Sequence, residues 1–345
     1  MSDLKGAIIG CGGRARGHAQ GYQQAAGVTL SAVADMDRER ADKFSADYGV
    51  PAFYDAAEML DKVKPEVVSV VTRAKGRSAL VQLCAEKGVP AVDAEKPMAI
   101  TMSEADAMVE ACRKSGTALT VSHQMRYSAN FERGKQALEA GDIGEVYFLR
   151  AVCFGNLMNQ GTHVIDMLRW YMNDARVTRV MAQADEWDSA QRDVGHPAPM
   201  WTLGYLVFEN GVRATIESGP SYAPALGTNP GWLNKRVEVL GTEGMLDTVV
   251  ANYTRILSTK RGGWYGSELG VEDSWNHATI KFIEDLARVV REGGTHRNNA
   301  ETSLHSFEII QALAKSAHHG GWVDLPLPRD GTDFLGELLA ARTAG

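Results

Sequence analysis

The sequence predicts an α/β protein of two parts: a doubly wound parallel sheet at the N-terminus, then a C-terminal α+β part with a large open, mainly antiparallel sheet. Two observations support this prediction. Short apolar runs alternate with amphipathic helical patterns over residues 1–122, which is typical of a parallel sheet covered on both faces. After residue 123, longer β-like runs follow one another without intervening helices, which favours an antiparallel or mixed sheet.

The first part is predicted element by element from its hydrophobic periodicity. Strands are predicted at 6–10, 28–35, 65–72, 89–94 and 118–122. Helices are predicted between them, at 14–26, 38–48, 55–63, 76–87 and 102–116.

The second part begins with a predicted helix at 129–140. Its β-like runs lie at 145–155, 177–185, 200–209, 211–219, 236–244 and 245–250, and two helices follow at 274–292 and 300–318. The Asn210-Gly211 pair between two alternating runs predicts a hairpin. We therefore predict domains at 1–123 and 124–330, with a C-terminal tail at 331–345.

The composition excludes several classes of protein. A net charge of -7 provides no basic field for nucleic acid or an anionic membrane surface. No apolar run approaches the ~20 residues of a membrane span, and the N-terminus lacks the pattern of a secretory signal. Cys11, Cys84, Cys112 and Cys153 have no CxxC or metal-type spacing, so we expect reduced thiols, no bound metal and a cytoplasmic protein.

The stretch "AIIGCGGRARGH" follows the first predicted strand and opens the first predicted helix. Its residues 10–15 fit the pattern G-x-G-x-x-A. Gly10 permits the tight turn, Gly12 lets the backbone approach a pyrophosphate, and Ala15 allows close helix–strand packing. The helix N-terminus adds N–H groups and partial positive charge for phosphates. A Rossmann-type dinucleotide-binding domain is therefore predicted.

Asp35 ends the second predicted strand, about 20 residues beyond the loop, where such domains place the acid that binds the ribose hydroxyls. A carboxylate there repels the 2′-phosphate of NADP, so NAD is the expected cofactor. Arg38 and Arg40 follow closely and offset part of that repulsion, which leaves NADP as an alternative.

At this point the chain resembles a known family. The stretches "IIGCGGRARGHAQGY", "AVADMDRERA", "VVSVVT", "AEKPMA", "QMRY", "GTHVIDMLRW" and "VEVLGTEG" resemble the glucose–fructose oxidoreductase / inositol dehydrogenase / rhizopine-catabolism (Gfo/Idh/MocA) family. They occur in family order over about residues 5 to 326. The resemblance implies an NAD(P)-dependent oxidoreductase. Such an enzyme transfers a hydride between the nicotinamide and a secondary alcohol of a sugar, polyol or sugar derivative.

The resemblance, with the glycine loop, also implies site residues. The cofactor contacts are expected at Gly10, Gly12, Gly13, Arg14, Ala15, Asp35, Met36, Arg38, Thr72, Arg73, Glu95, Lys96 and Gln124. Substrate contacts are expected at Lys96, Arg126, Asn159 and His163, of which Lys96, His163 and Asn159 are the expected catalytic residues. The Lys96–Pro97 bond is often cis in this family.

Two departures from the family pattern stand out. Arg73 and Arg77, in "TRAKGR", stand where the family often has a Pro and a His, so the nicotinamide-side contacts of this loop are expected to differ. Asn159 stands four residues before His163, where many members have an Asp. An amide cannot accept a proton as a carboxylate does, so the usual proton relay is expected to change.

The chemistry of alcohol oxidation fits these residues. The cofactor supplies the redox chemistry, and the protein must supply a base and stabilise the alkoxide. An imidazole titrates near ~6.5, so His163 suits the base. If Thr162 caps a helix, the helix N-terminus keeps that ring neutral. Lys96 follows the predicted strand 89–94 at its carboxyl end, where its ammonium stabilises the alkoxide, and Asn159 is left with positioning.

Two other functions stay open on the sequence. A redox-neutral glycosidase would oxidise a sugar transiently, eliminate the glycosidic substituent and keep its NAD bound. A non-catalytic dinucleotide-binding sensor is the second alternative, although the presence of both Lys96 and His163 argues against it. We also expect a homo-oligomer, a dimer or tetramer, formed through an apolar open face of the second sheet. Substrate selectivity is expected from loops 155–160, 186–199 and 218–235.

Overall fold

The computed structural model describes residues 2–187, 198–220, 233–268, 276–334 and 336–337. The chain divides into two compact units, one of Met1–Gln124 with Thr279–Leu304 and one of Met125–Ala278 with His305–Gly345. The predicted boundary at 123 lies one residue from the end of the first segment. The predicted division differs at residues 279–304, because it placed them in the second unit. Most of the predicted tail, 338–345, lies outside the described residues.

The first unit is built on a parallel sheet. Its strands are β1 (Leu4–Ile9), β2 (Val28–Ala34), β3 (Ala52–Phe53), β4 (Val67–Val70), β5 (Ala91–Ala94) and β6 (Ala118–Val121). Its helices between them are α1 (Ala15–Gln24), α2 (Arg38–Tyr48), α3 (Ala56–Val63), α4 (Arg77–Glu86) and α5 (Met102–Ser115). The order β3-β2-β1-β4-β5-β6, with every pair parallel, confirms the predicted Rossmann-type sheet. The two-residue β3 was not predicted, since it is too short to show a period.

Capping side chains set the starts of α2, α3 and α5. The Asp37 side chain accepts a hydrogen bond from the N–H of Arg40 at the start of α2. Thr101 and Glu104 form a reciprocal capping box at the start of α5. These bonds satisfy backbone donors that a helix leaves unpaired in its first turn.

Residues 279–304 join the first unit through contacts over long sequence separations. The N–H of Ala26 donates to Glu284 at 3.1 Å, Arg291 donates to the carbonyl of Gly27 at 2.8 Å, and the N–H of Val121 donates to the carbonyl of Asn298 at 3.3 Å. A local pattern carries no signal of such partners, which explains why the predicted division missed this return of the chain.

The second unit contains most of the remaining elements. After a 3₁₀ turn at Gln124–Tyr127 come α6 (Ala129–Glu139), β7 (Val146–Phe154), a π-helical turn at Leu157–Gly161 and α7 (Thr162–Tyr171). Then come β8 (Val177–Trp187), β9 (Pro199–Phe208), β10 (Arg213–Gly219), β11 (Lys235–Gly241), β12 (Gly244–Val249), β13 (Tyr253–Ser258) and β14 (Gly263–Glu268). The chain continues with α8 (His277–Glu292), α9 (Ala300–His319) and β15 (Val323–Asp324), of which α8 lies almost wholly in the first unit.

The sheet of the second unit is mixed and mostly antiparallel, as predicted. Among the described residues its order is β14-β13-β12-β11-β7-β10-β9-β8-β15, and only β10 and β7 pair in parallel. The Asn210-Gly211 turn joins the antiparallel β9 and β10, which confirms the predicted hairpin. The strands β13, β14 and β15 were not predicted. Glycines interrupt the alternation in β14, and β15 has only two residues.

The two faces of this sheet differ in chemistry. The inner face is apolar, and α7 packs on it against β7 and β11. The outer face was expected to be apolar, but that holds only in part. It exposes large apolar side chains such as Leu203, which is 56% exposed. It also carries ion pairs between neighbouring strands, including Arg150–Glu217 at 3.4 Å and Arg236–Asp247 at 2.7 Å.

Candidate active site

The glycine loop follows β1 and opens α1, as the sequence predicted. Gly10 has a φ of +100°, and a Cβ on it would lie 2.5 Å from the carbonyl oxygen of Val71. A Cβ on Gly12 or Gly13 would meet no described atom within 4 Å. Gly10 is therefore required by the turn and the adjacent chain. Gly12 and Gly13 instead leave an open stretch of backbone, before the buried Ala15 that begins α1, which suits a pyrophosphate.

Asp35 is held beside this loop. One carboxylate oxygen accepts a hydrogen bond from the N–H of Cys11 at 2.8 Å, and the other accepts one from the N–H of Asp37 at 2.9 Å. Arg40 lies 3.4 Å from the same carboxylate. The side chain is 10% exposed. The acid is therefore oriented by backbone groups while it keeps access to a ligand, which suits the ribose hydroxyls of a dinucleotide.

The two arginines after Asp35 have different surroundings. The Arg40 guanidinium is shared between Asp35 and Asp37, with a distance of 3.1 Å to Asp37. The Arg38 guanidinium instead lies over the ring of Tyr54, 4.3 Å from its centroid. The predicted cofactor contact Met36 is 88% exposed. Of the two arginines, Arg40 is thus the one beside Asp35.

The loop after β4 contains the predicted contacts Thr72 and Arg73. The Arg73 side chain is exposed. The hydroxyl of Thr72 is buried and has no hydrogen-bond partner among the described residues. A buried hydroxyl is normally satisfied, so this atom at the carboxyl edge of the sheet fits a site that a ligand completes.

Arg77 explains the departure in "TRAKGR". Its side chain is 1% exposed, and its guanidinium donates to the backbone carbonyls of Thr72, Glu95 and Pro97. Burial lowers the pKa of Arg77 to about 10, against the opposing charges of Glu95 and Asp93, so the group stays charged at neutral pH. Arg77 therefore ties the loop after β4 to the loop after β5. The sequence singled it out only as a difference from the family.

Glu95 is the centre of a buried polar cluster after β5. Its Oε1 accepts from Arg14 Nε at 2.6 Å and lies 3.1 Å from His18 Nε2, and its Oε2 accepts from the N–H of Lys96 at 2.9 Å. Burial favours the neutral acid, but the charge of Arg14 and the contacts with His18 and Lys96 outweigh it. Together they hold the pKa of Glu95 well below its usual value.

Two further predicted cofactor contacts join this cluster. The half-buried Lys96 precedes Pro97, and the Lys96–Pro97 bond is cis, as the family resemblance implied. The side-chain oxygen of Gln124 accepts from Arg14, while its nitrogen donates to the carbonyl of Ser122 at 2.7 Å, with the amide oriented to satisfy both. Arg14 thus links the glycine loop to both Glu95 and Gln124.

Asp93 and His18 complete the cluster, and the sequence did not identify them as site residues. Asp93 is fully buried on β5, accepts from the Ser122 hydroxyl at 2.7 Å and lies 3.4 Å from His18 Nδ1. Burial raises the pKa of Asp93 from 3.8 to about 6, and the charge of Glu95 adds to this, while His18 and Ser122 oppose it. The available signal was an acid inside a run of apolar strand residues.

Arg126 has a different place from the one predicted. Its side chain is 0% exposed and makes a bidentate pair with Asp166 at 2.8 and 2.7 Å, and it also donates to Asp174 at 2.7 and 2.8 Å. A guanidinium that is buried and committed to two carboxylates is a structural ion pair of the second unit, not a substrate contact. Sequence reasoning also missed Asp166, which it treated as a polar position on the helix.

His163 and Asn159 lie on a helix that begins earlier than expected. On the sequence, His163 would lie in the first turn if Thr162 capped the helix. Instead, the π-helical turn at Leu157–Gly161 runs directly into α7, and the cap is Asn156, whose side chain accepts from the N–H of Asn159 at 2.7 Å. His163 is buried, about two turns from that cap. The helix dipole therefore acts on it more weakly than expected, because the effect falls off within the first turn.

A group of potential metal ligands lies on the described surface. Among the described residues, His318, His319 and Glu337 have potential ligand atoms within 4.8 Å of one another. All three side chains lie at least partly in solvent, where such groups are common without a metal. In the part of the chain with described coordinates, none of the helices is long and apolar enough to cross a membrane.

Comparison with known proteins decides the family. Residues 4–123 match the model of an oxidoreductase family with an NAD-binding Rossmann fold, and residues 149–325 match that family's C-terminal alpha/beta domain. This is the Gfo/Idh/MocA family. The chain belongs to it. As a member, the protein is an oxidoreductase that binds NAD, and the open Gly12 and Gly13, the oriented Asp35 and the unsatisfied Thr72 hydroxyl fit that cofactor.

Individual members of the Gfo/Idh/MocA family are similar over most of their length. A D-apiose dehydrogenase from Paraburkholderia graminis is 28% identical over 93% of this chain and 90% of its own. A myo-inositol 2-dehydrogenase from Thermotoga maritima is 25% identical over 75% and 79%. An Agrobacterium radiobacter oxidoreductase solved with NAD+, L-tartaric acid and magnesium has a TM-score of 0.83 at 21% identity, covering 94% of this chain and 98% of its own.

The three loops expected to set selectivity are described unevenly. The 155–160 loop leads into the π-helical turn and contains its residues 157–160. Residues 188–197 and 221–232, which make up most of the other two loops, lie outside the described residues.

The glycine loop yields a matched pair of variants. Gly10→Ala should lower the free energy of unfolding by about 1–3 kcal/mol, because it forces a strained φ and a clash with Val71. Gly12→Ala should leave stability near wild type but weaken NAD binding, since its methyl enters open space reserved for the pyrophosphate. Urea denaturation and calorimetric titration with NAD measure the two effects. Equal loss of stability in both variants would contradict this assignment.

Proposed function

We propose that this protein is an NAD-dependent dehydrogenase acting on a secondary alcohol of a sugar, polyol or sugar derivative. The observation that carries the proposal is the carboxyl edge of the first sheet, where Arg14 links an open glycine loop to the Glu95-Lys96-Pro97 loop. The relatives support the substrate class, since apiose is a sugar and inositol is a polyol. NAD is the proposed cofactor, with NADP as the alternative.

The residues that would hold the cofactor follow from the first unit. The backbone at Gly12 and Gly13 and the N-terminus of α1 would bind the pyrophosphate, and Asp35 the ribose hydroxyls. The Thr72 hydroxyl would gain a partner. When bound, the nicotinamide supplies the redox chemistry.

Lys96 is proposed to stabilise the substrate oxygen as its proton leaves. An ammonium group lowers the energy of a developing alkoxide more effectively in a site that excludes water. The bond from the Lys96 N–H to Glu95 fixes the backbone from which the side chain projects. Arg77, which donates to the carbonyls on either side of Lys96, restricts this loop further.

His163 is proposed as the general base that takes the hydroxyl proton. It lies on α7, three residues before Asp166, and the buried Arg126–Asp166 pair holds that helix in place. Asn159 is proposed to contact the substrate and to position it, because an amide hydrogen-bonds but does not take up a proton.

Two alternatives predict different products. A redox-neutral glycosidase would release an aglycone without accumulating NADH. A non-catalytic sensor would bind NAD and turn over no sugar. A panel of sugars, polyols and glycosides with NAD and NADP in parallel, monitored for NADH absorbance and for released aglycone, separates all three functions.

Single substitutions test the two main roles. His163→Ala should lower kcat by about 100- to 10,000-fold, as expected for loss of a general base. Lys96→Ala should lower it by about 100- to 1,000-fold, as expected for loss of electrostatic stabilisation. The matched controls His319→Ala and Lys43→Ala remove exposed residues of the same type and should retain wild-type rates. A rate near wild type in either site variant refutes that residue's role.

The cofactor preference is tested at Asp35. Asp35→Ser removes the carboxylate and leaves Arg40 able to attract a 2′-phosphate, so the KM for NADP should fall relative to that for NAD by about tenfold, or ~1.4 kcal/mol. Asp47→Ser, at an exposed acid paired with Arg16, should not change the ratio. An unchanged ratio in Asp35→Ser would mean that another residue selects the cofactor.

We propose that the protein forms a homo-oligomer through the outer face of the second sheet, and that it is cytoplasmic because its four cysteines are buried thiols. Leu203 and Met181 expose apolar surface on paired strands. The Arg and Glu side chains on neighbouring strands of this face carry both positive and negative charge, which suits a symmetric contact with a second copy.

The state of assembly is tested by light scattering after size exclusion. The wild type should elute as a dimer or tetramer, and Leu203→Glu should shift it toward monomer, because a charge enters the apolar patch. Gln20→Glu, on the exposed side of α1, is the control and should keep the wild-type mass. A monomeric wild type rules out the proposal.

A further inference from the structure

Three ionisable side chains meet in the core of the first unit, at the start of the Glu95-Lys96-Pro97 loop. His18 Nε2 lies 3.1 Å from Glu95 Oε1, and His18 Nδ1 lies 3.4 Å from Asp93 Oδ2. The relative exposures of His18, Asp93 and Glu95 are 2%, 0% and 4%. One imidazole is therefore placed between two buried carboxylates.

The proton count of this cluster is constrained by its geometry. A neutral imidazole has a single N–H and can donate to only one carboxylate, whereas an imidazolium can face both. The number of protons on the ring therefore decides whether it can donate to one carboxylate or to both. The other charged or titratable groups that face the cluster are Arg14 and Tyr22 from the first helix and its loop, Arg77 from α4, and Lys96.

A purely structural role accounts poorly for this cluster. Buried ion pairs are often no more stabilising than apolar residues of similar size. The neighbours of Asp93 on β5, such as Val92 and Ala94, are apolar and buried. An apolar residue in its place would need no compensating charge. Buried charges that a fold does not need for packing are found mainly at functional sites.

We propose that His18 and Asp93 are positioning residues of the dehydrogenase, which hold the Glu95 carboxylate so that it fixes the backbone of Lys96 for catalysis. Asp93 Oδ2 lies 3.4 Å from His18 Nδ1, His18 Nε2 lies 3.1 Å from Glu95 Oε1, and Glu95 Oε2 accepts the Lys96 N–H at 2.9 Å. This inference rests on the proposed role of Lys96.

The test uses two variants of the cluster and one matched control in the full-length protein. Asp93→Asn retains a hydrogen-bond acceptor for Ser122 but removes the charge, and His18→Leu removes both ring contacts. His18→Gln is the conservative replacement, since its amide still donates toward Glu95. Tyr22→Phe removes a buried hydroxyl from the same helix, bonded to Ser69 at 3.0 Å, without touching Glu95.

The expected result is a kcat effect with little change in cofactor binding. His18→Leu and Asp93→Asn should each lower kcat by about 10- to 100-fold, as small misplacements of a catalytic group do, with the KM for NAD changed less than about threefold. His18→Gln should recover part of the loss. Tyr22→Phe should leave kcat and its pH profile as in wild type.

The pH dependence of the free energy of unfolding provides a test that needs no cofactor. Because the folded state raises the pKa of Asp93 from 3.8 to about 6, it disfavours the ionised acid, so wild type should lose stability relative to Asp93→Asn as pH rises from 4 to 7. Urea denaturation of the NAD-free protein measures this difference. If the difference is flat across this range, Asp93 does not carry the buried charge on which the positioning role depends, and the inference is wrong.

The kinetic outcomes separate the inference from the function on which it rests. If Lys96→Ala is inactive while His18→Leu and Asp93→Asn keep wild-type kcat, the positioning role is wrong and the proposed function stands. If Lys96→Ala keeps wild-type kcat, the proposed function itself fails. If Tyr22→Phe lowers kcat as much as the cluster variants, the effect is general loss of packing and the positioning role is again wrong.

Discussion

A buried carboxylate is stable only if charge and hydrogen bonds replace its lost hydration, and Glu95 obtains these from several elements of the first unit. Arg14 reaches it from the glycine loop, His18 from α1, and the Lys96 N–H from its own loop. Arg14 is also the residue between Gly13 and the first residue of α1. The loop that would bind the pyrophosphate therefore cannot shift without disturbing the carboxylate that fixes Lys96, so cofactor binding and positioning of the lysine depend on one cluster.

In the second unit, a different buried ion pair holds α7 in place. Arg126 is buried against Asp166, and because Asp166 is one turn beyond His163, the pair fixes the part of α7 that carries the histidine. Removal of Arg126 would leave the buried Asp166 without its compensating charge, which is far more costly than loss of a surface pair. Arg126 thus contributes to the site through the helix and not by contact with a substrate.

The sequence predicts features that depend on local order, and it fails where distant residues meet. The glycine loop, the place of Asp35 after β2 and the parallel sheet follow from short-range patterns, and the structure has them. Arg126 was misassigned because its partners lie 40 or more residues away, and nothing near an isolated arginine distinguishes an ion pair from a substrate contact. The π-helical turn before α7 was not predicted, because its period differs from the 3.6-residue pattern of an α-helix. His18 was not identified as a site residue, because its partners Asp93 and Glu95 lie far from it in the sequence.

Asn159 bears on which reaction the site favours. Net oxidation of an alcohol requires one proton transfer from the substrate hydroxyl, and His163 alone can provide it. Redox-neutral cleavage of a glycoside also requires removal of a proton beside the transient carbonyl and protonation of the departing oxygen. A carboxylate at position 159 would add a second proton carrier in the turn before His163, whereas an amide adds none. In the proposed dehydrogenation, an amide at position 159 therefore leaves proton transfer to His163 and charge stabilisation to Lys96.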